Sequence, residues 1–461
     1  MFSYLEASRL LGVPLEFPAD PGSIRSFSID SRTLIREECF VALRGERSDG
    51  HQFLENAYRK GASGALIDAR QRETVLRNVG QSTLRNILAV RHPEAAMARL
   101  AADYRGGLSV SVVGITGSVG KTTTKEFLCY LLRGRFPTIA TEGNLNNHLG
   151  VPIMLSKLEP EHRYCVLEMG ASHRGEIRHL AGLSKPMAAI LTPIGPAHLE
   201  GFGSLANVYR TKIELAEALP AGAPLVIPAD DKILLRRISE TGLRAVTVGY
   251  GDDAAYRISE VSVRNGEVFF ALNKRRFSFP GQASFLTLNA GLALAMARSL
   301  GMAWDDFPES WGDAGFAAGR FHETILFNGL RVIDDTYNAN PVSFENALKA
   351  FRALPRTGKK VVVFADMLEL GGERERFHRE LGEKIALTDA DFAWAYGEGS
   401  RWSVEAVSRA KTGCDARHFD DPDALFLSLK DILRPGDVVL FKGSRGMHVE
   451  KVLASVATIA F

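Results

Sequence analysis

The chain has 461 residues, a length that predicts three domains if each takes roughly 150 residues. Hydrophobic residues make up 46% and charged residues 24%, a balance that excludes a disordered chain and a membrane-embedded one. Lys plus Arg (56) nearly cancels Asp plus Glu (54), so no overall basic field attracts nucleic acid, and any phosphate must be met by local positive charge. Cys39, Cys129, Cys165 and Cys414 form no CxxC pair, which predicts reduced, mostly buried thiols in place of a zinc site or disulfide framework. The N-terminus MFSYLEASRLLGVPLEF lacks a basic flank, apolar core and cleavage site, and no run reaches about 18 apolar residues, so a cytoplasmic chain with no integral membrane segment is expected.

In chain order, CFVALRG and GALID read as strands around a helical piece, FLENAYRKGA, and predict a small N-terminal α/β domain over 1–103. PEAAMARLAADYRGG reads as a helix. A central domain over 104–318 then opens on LSVSVVGIT, a continuous β-branched run of the kind found in buried parallel strands. RYCVLEM, MAAILTP and APLVIPA follow with helices between them, which predicts a mainly parallel, doubly wound sheet. From Arg257 to Phe279 apolar and polar residues alternate, predicting antiparallel hairpins laid on that sheet, before the Ala-rich helix LNAGLALAMARSLG. The βα rhythm resumes with LRVIDD, KKVVVFAD, DFAWAYG and GDVVLFKG, a Rossmann-like C-terminal domain over 319–461.

The strongest motif is Gly114-Ile115-Thr116-Gly117-Ser118-Val119-Gly120-Lys121-Thr122, after a predicted strand and opening the predicted helix TTTKEFLCYLLRG. Five residues separate Gly114 from Gly120, one more than in the strict phosphate-loop pattern. Glycines there let backbone N–H groups approach phosphate oxygens, the helix N-terminus favours an anion, Lys121 neutralises charge and Thr122 suits magnesium. Such a P-loop specifies a nucleoside triphosphate and not its use: a kinase, a GTPase and a motor all carry one.

Other polar residues fall at predicted strand ends, the edge where open α/β sheets bind ligands. Glu168 ends RYCVLEM and His198 follows MAAILTP. A carboxylate suits Mg²⁺ and an imidazole is a less usual ligand for it; singly, Glu168 serves equally as a helix cap and His198 as an ordinary loop histidine. On sequence alone Lys212 in NVYRTKIELAEAL reads as a solvated surface lysine, and Asn289 as a polar residue starting a helix. Asp335 and Asn338, then Asp366, then Lys442, Ser444 and Arg445 follow three strands of the last domain and predict a second ligand-facing surface.

In order, TGSVGKTTTKE, LEMGAS, PAHLEGFGSLANVYRTKIE, GRFH, DDTYNANP, ADMLELGGERERFH and KGSRGMHVE resemble the Mur ligases through all three domains. TEGNLNNHLGVP, DDTYNANP and ADMLELG look most like the member that adds D-alanyl-D-alanine to UDP-N-acetylmuramoyl-tripeptide. SIDSRTL and SDGH are shared with the tripeptide-forming relative, whose DNPR-type signature is absent, and Ala365 stands where a glycine commonly precedes the Asp. The resemblance implies a domain for the UDP-linked substrate, a central ATPase and a domain for the amino substrate, in an ATP- and Mg²⁺-dependent ligase working through an acyl-phosphate.

Carried over residue by residue, Lys121, Glu168, His198 and Lys212 are then the catalytic set. Gly117, Ser118, Gly120, Lys121, Thr122 and Thr123 surround the phosphates of ATP, with Asn289 at adenine, Arg320 at the phosphates and Asp335 at the ribose. Thr122 and Glu168 hold one magnesium; His198 and a carbamylated Lys212 hold a second. Asp30, Ser31, Arg32, His51, Asn146 and Asn147 contact the UDP-linked peptide, and Asn338 and Asp366 belong to the substrate surface of the last domain. A monomer is expected, hinged near Ala317 to Arg320. Two other readings stay open at this point. One is a folate-polyglutamate ligase, which has no need of the SIDSRTL domain; the other is a catalytically silent relative, against which the intact catalytic set argues.

Overall fold

The computed structural model describes every residue except Met1, Pro21, Arg47, Gln81, 313–318, Ala460 and Phe461. Ala317 and Ala318 of the expected hinge therefore lie outside the described residues. Three sheets follow one another along the chain, as an α/β protein of three domains requires.

The first sheet runs in the order Leu15–Glu16, Ile87–Val90, Gly64–Asp68, Cys39–Val41, Phe27–Ser28 and is parallel apart from its first strand. The helix Pro93–Gly106, with proline in its first turn, where the missing N–H costs nothing, packs both on this sheet and on the helices Gly150–Ser156 and Glu176–Ser184 that follow. The Phe27 N–H also donates to the Ser156 hydroxyl (3.1 Å). This helix and this hydrogen bond help to fasten the first sheet to the central body.

In the nine-stranded central sheet Ser111–Thr116 lies between Tyr164–Glu168 and Ala188–Leu191, all parallel. The chain winds to one side of Ser111–Thr116 and then to the other, so the carboxyl end of that strand is a topological switch point. Leu225–Pro228 and Val246–Gly249 continue the parallel order. The hairpin strands Tyr256–Arg264, Glu267–Leu272 and Arg275–Pro280 do not lie on the sheet as the sequence predicted; they extend it edgewise. Val248 pairs in parallel with Tyr256, and the apolar half of the alternation is consumed against a helix. Phe270, Phe277, Phe279 and the fully buried Trp311 meet Phe127 of the helix Lys121–Arg133 in an aromatic cluster. The outermost strand is bridged in turn at Ser278, which accepts from Trp311 N–H (2.9 Å) and donates to the Glu309 carbonyl (2.8 Å).

The third sheet has the order His322–Ile325, Arg331–Asp335, Val438–Lys442, Lys360–Ala365, Phe392–Tyr396, Asp415–Phe419. Four of these strands match the predicted runs; the antiparallel His322–Ile325 and the edge strand Asp415–Phe419 were not foreseen. All four cysteines are free, and burial pushes the thiols of Cys39, Cys129 and Cys165 up to about 12. Among the described residues no helix is long and apolar enough to cross a membrane.

Because the Trp311 cluster joins the hairpin extension to the helix that carries the glycine loop, Trp311→Ala is expected to cost about 3–5 kcal/mol. Urea unfolding followed by far-UV dichroism measures this; a loss below about 1 kcal/mol would show that the cluster does not hold the two together.

Candidate active site

The helix Lys121–Arg133 starts on Gly120 (φ 84°) with no side-chain cap, so its first N–H groups and the positive end of its dipole are offered to an anion. The preceding loop has one permitted path. A Cβ on Gly117 (φ 151°) would lie 2.0 Å from Thr192 Oγ1, and one on Gly120 would lie 2.1 Å from Asn289 Nδ2. The N–H groups of Ser118 and Val119 donate to the Pro193 carbonyl (3.0 and 3.2 Å), which ties the loop to the neighbouring strand end. Asn289, buried in the helix Thr287–Ser299, is no N-terminal cap. Its amide donates to the Gly120 carbonyl (3.2 Å) and to Thr124 Oγ1 (3.0 Å), so it clamps the loop from behind.

Lys121 folds back so that Nζ donates to the Gly117 carbonyl (3.0 Å). Desolvation lowers its pKa, opposed by the Glu168 carboxylate. Glu168, buried at the end of its strand, accepts from the Thr122 hydroxyl (2.7 Å) and from Asn146 Nδ2 (2.9 Å). Thr122 Oγ1 also accepts from Arg320 of the third domain (2.8 Å). The Arg320 guanidinium stacks on Tyr337 at 4.0 Å from the ring centroid, and its Nε has no hydrogen-bond partner among the described residues. Tyr337 in turn donates to Asn144, and Asn340 Nδ2 to the Ser118 carbonyl (3.4 Å). The third domain thereby closes over the phosphate-type loop. Beneath Arg320, Asp335 pairs with Lys442 (2.5 Å); desolvation raises the Asp335 pKa even against that ammonium.

Lys212 overturns its reading as a surface lysine, because only 2% of it is exposed. Its Nζ makes one long contact with the Ala171 carbonyl (3.5 Å) and lies 5.6 Å from the centroid of Phe202. Burial, reinforced by Lys121, pushes its pKa down to about 7. A buried amine with so little to neutralise it is suited to reaction as the free base.

Every central-domain candidate lines one cavity of about 950 Å³, as do Arg320, Asp335 and Asn338 from the third domain. Asp30, Ser31, Arg32, His51 and Asp366 do not line it. Arg32 and Asp30 pair on an exposed loop (2.7 Å), and Asn56 donates to the Ser31 hydroxyl (3.1 Å). His51 has both ring nitrogens engaged, Nδ1 with Asp49 (2.6 Å) and Nε2 with the Asp68 N–H (3.0 Å). Asp366 accepts from Gly399 N–H (2.9 Å), Ser400 N–H and hydroxyl (2.8 Å each) and Arg374 (2.6 Å). Burial opposes its ionisation, but these donors hold the carboxyl below the usual range. Tyr337 and Asn144 reach the cavity without having been given a role from sequence, although DDTYNANP and TEGNLNNHLGVP contain them, and Lys442, expected on the second ligand-facing surface, reaches it too.

Thr122 and Glu168 place a hydroxyl and a carboxylate side by side at the loop, the oxygen chemistry that Mg²⁺ takes while keeping water and phosphate in its other positions. Among the described residues no three His, Cys, Asp or Glu side chains form a cage, so the residues fit a metal shared with phosphate and not a closed protein site.

Three α/β domains, two of which line most of the cavity beside a glycine loop at a sheet's switch point, define a class, that of α/β enzymes whose site lies between domains. The chain belongs to the Mur ligase family: residues 115–297 match the Mur ligase middle domain, 319–445 the Mur ligase glutamate ligase domain, and 23–105 the Mur ligase family catalytic domain. It is 34% identical to the UDP-N-acetylmuramoyl-tripeptide–D-alanyl-D-alanine ligase of Escherichia coli, over 94% of each chain. Its fold superposes on MurF from Acinetobacter baumannii with a TM-score of 0.85, at 28% identity, covering 99% of this chain and 98% of that one. The structure of MurF from Thermotoga maritima in complex with ADP gives a TM-score of 0.78 at 31% identity, covering 94% and 97%.

With Lys121 in the first turn of a helix and its preceding loop held by backbone contacts, Lys121→Ala should leave the unfolding transition in place and lower kcat by at least about 10²-fold, the loss typical of one charge-stabilising donor. Near-normal turnover by a folded variant would remove Lys121 from the chemistry.

Proposed function

We propose that the chain joins D-alanyl-D-alanine to UDP-N-acetylmuramoyl-tripeptide at the expense of ATP, in the cytoplasmic synthesis of peptidoglycan precursor. One observation supports this reading above the others. Lys121 and the uncapped helix N-terminus, Lys212, and Arg320 and Lys442 from the third domain line a single cavity of about 950 Å³. On this reading 1–103 carries the UDP end, 104–318 the nucleotide and 319–461 the dipeptide. The ligase activity by which the Escherichia coli relative is named, in a chain similar over nearly the whole length, supports the same assignment.

The chemistry starts from two anions that repel. The terminal carboxylate of the tripeptide attacks the γ-phosphorus of ATP and ADP leaves, giving an acyl-phosphate; the dipeptide amine then attacks the acyl carbon and expels phosphate. A free carboxylate is a poor acyl donor, which is why ATP is consumed. Lys121, Arg320 and the helix N-terminus offset the charge that builds up at the transferring phosphoryl group, and the fixed loop aligns it. Asp335, held by Lys442, takes a ribose hydroxyl, and Asn146 holds Glu168 in place. Thr122 and Glu168 would hold one Mg²⁺, and His198 with a carbamylated Lys212 a second, and the ions would supply further positive charge to offset the repulsion of the two anions.

Lys212 can serve a cation only after modification. Its neutral amine adds to CO₂ and loses a proton, turning an ammonium that repels metal into a carbamate that binds it. Lys212→Ala should lose most of its activity, and acetate or another short carboxylate should restore part of it; wild-type-like activity would remove Lys212 from the site.

Specificity tests the reading as a whole. ADP release should require both a UDP-muramoyl tripeptide and D-alanyl-D-alanine, and mass spectrometry should show the pentapeptide product. Preferential use of a UDP-muramoyl dipeptide with meso-diaminopimelate or L-lysine would place the chain elsewhere in its family, and use of a folate would defeat the reading.

A further inference from the structure

The ADMLELGG segment of the third domain does not line the cavity described above, Asp366 included, yet its backbone is built to deliver a different residue to its edge. Asp366 is held by the N-terminus of the helix Ser400–Arg409 and by Arg374. The Met367 N–H donates to His378 Nε2 (3.0 Å), and the Leu368 N–H to Ser444 Oγ (2.9 Å). With three consecutive residues fixed, Glu369 takes a left-handed conformation (φ 61°), uncommon for a residue with a side chain, and turns across the domain boundary. Its carbonyl accepts the Glu200 N–H (3.1 Å), and its carboxylate meets Nδ1 of His198. His198 is also left-handed (φ 51°), with its ring against Phe202 at a centroid distance of 6.5 Å. Two sparsely populated backbone conformations thus face each other to make one contact.

We propose that Glu369 is a positioning residue: its carboxylate accepts the Nδ1 proton of His198, which fixes the tautomer and leaves the Nε2 lone pair as a donor to a divalent metal. A carboxylate behind a ligating imidazole orients the ring and raises its basicity. Because the carboxylate comes from the third domain and the imidazole from the central one, the ligand is set only when the two are docked. The proposal rests on the reading of His198 as a metal ligand.

Mn²⁺ with ADP, added to the full-length protein, tests it. Pulsed electron paramagnetic resonance reads the ¹⁴N coupling of an imidazole on Mn²⁺, and titration reads the affinity, for wild type, His198→Ala, Glu369→Ala and Glu369→Gln. Glu369 is 56% exposed in its side chain, so its variants should keep the wild-type unfolding midpoint. Glu369→Ala is expected to weaken Mn²⁺ binding about 10–100-fold with loss of the ¹⁴N coupling. Glu369→Gln, whose amide oxygen still accepts a hydrogen bond, should fall between. Coupling lost in His198→Ala but retained in Glu369→Ala, or Mn²⁺ bound more tightly by Glu369→Ala, overturns the role of Glu369 alone. Coupling retained in His198→Ala removes the imidazole from the metal and the proposal with it.

Discussion

The loop from Gly117 to Gly120 runs where no side chain fits, between Thr192 on one side and Asn289 on the other. That squeeze fixes the path by which the loop enters the uncapped N-terminus of the following helix, and it depends on elements far apart in sequence. Thr192 follows the strand Ala188–Leu191, and Asn289 belongs to a helix that packs on the helix Lys121–Arg133. The hairpin extension and its aromatic cluster matter for the same reason, since they fix that second helix pair. The phosphate-binding geometry is therefore a property of the whole central domain.

Electrostatics gives the cavity a second organisation. Although the chain is almost neutral, Lys121, Arg174, Lys212, Arg320 and Lys442 line one space with the carboxylates of Glu94, Glu168, Glu176 and Asp335. Holding cations together out of water is unfavourable, and the depressed pKa values of Lys121 and Lys212 record it. A ligand rich in negative charge relieves that tension.

Much of this was legible in the sequence, for identifiable reasons. Buried parallel strands are written as unbroken runs such as VVGIT and VVVFA, and the strand ends that carry Glu168, Asp335 and Lys442 follow from them. His322–Ile325 and Asp415–Phe419 escaped notice because both are edge strands, short and half-exposed, with charged residues in place of an apolar run. Lys212 could not be recognised as buried from TKIELAEAL, since its burial comes from packing in the cavity wall and not from helical periodicity. Strand-end logic also has a limit: Asp366 stands at such an end yet turns its carboxylate onto a helix N-terminus, and the neighbouring Glu369 crosses to the other domain.

The bridge at Ser278 has a consequence for the chain in a crowded solution. A sheet of nine strands must end somewhere, and an unpaired edge is a template for other chains. At the hairpin end, Arg275 and Arg276 put charge on the last strand, and the segment carrying Glu309 and Trp311 doubles back to take hydrogen bonds that a second molecule could otherwise use. The residue that completes the aromatic cluster thus also guards the sheet against self-association, so resistance to aggregation and the rigidity of the phosphate loop are set by the same stretch of chain.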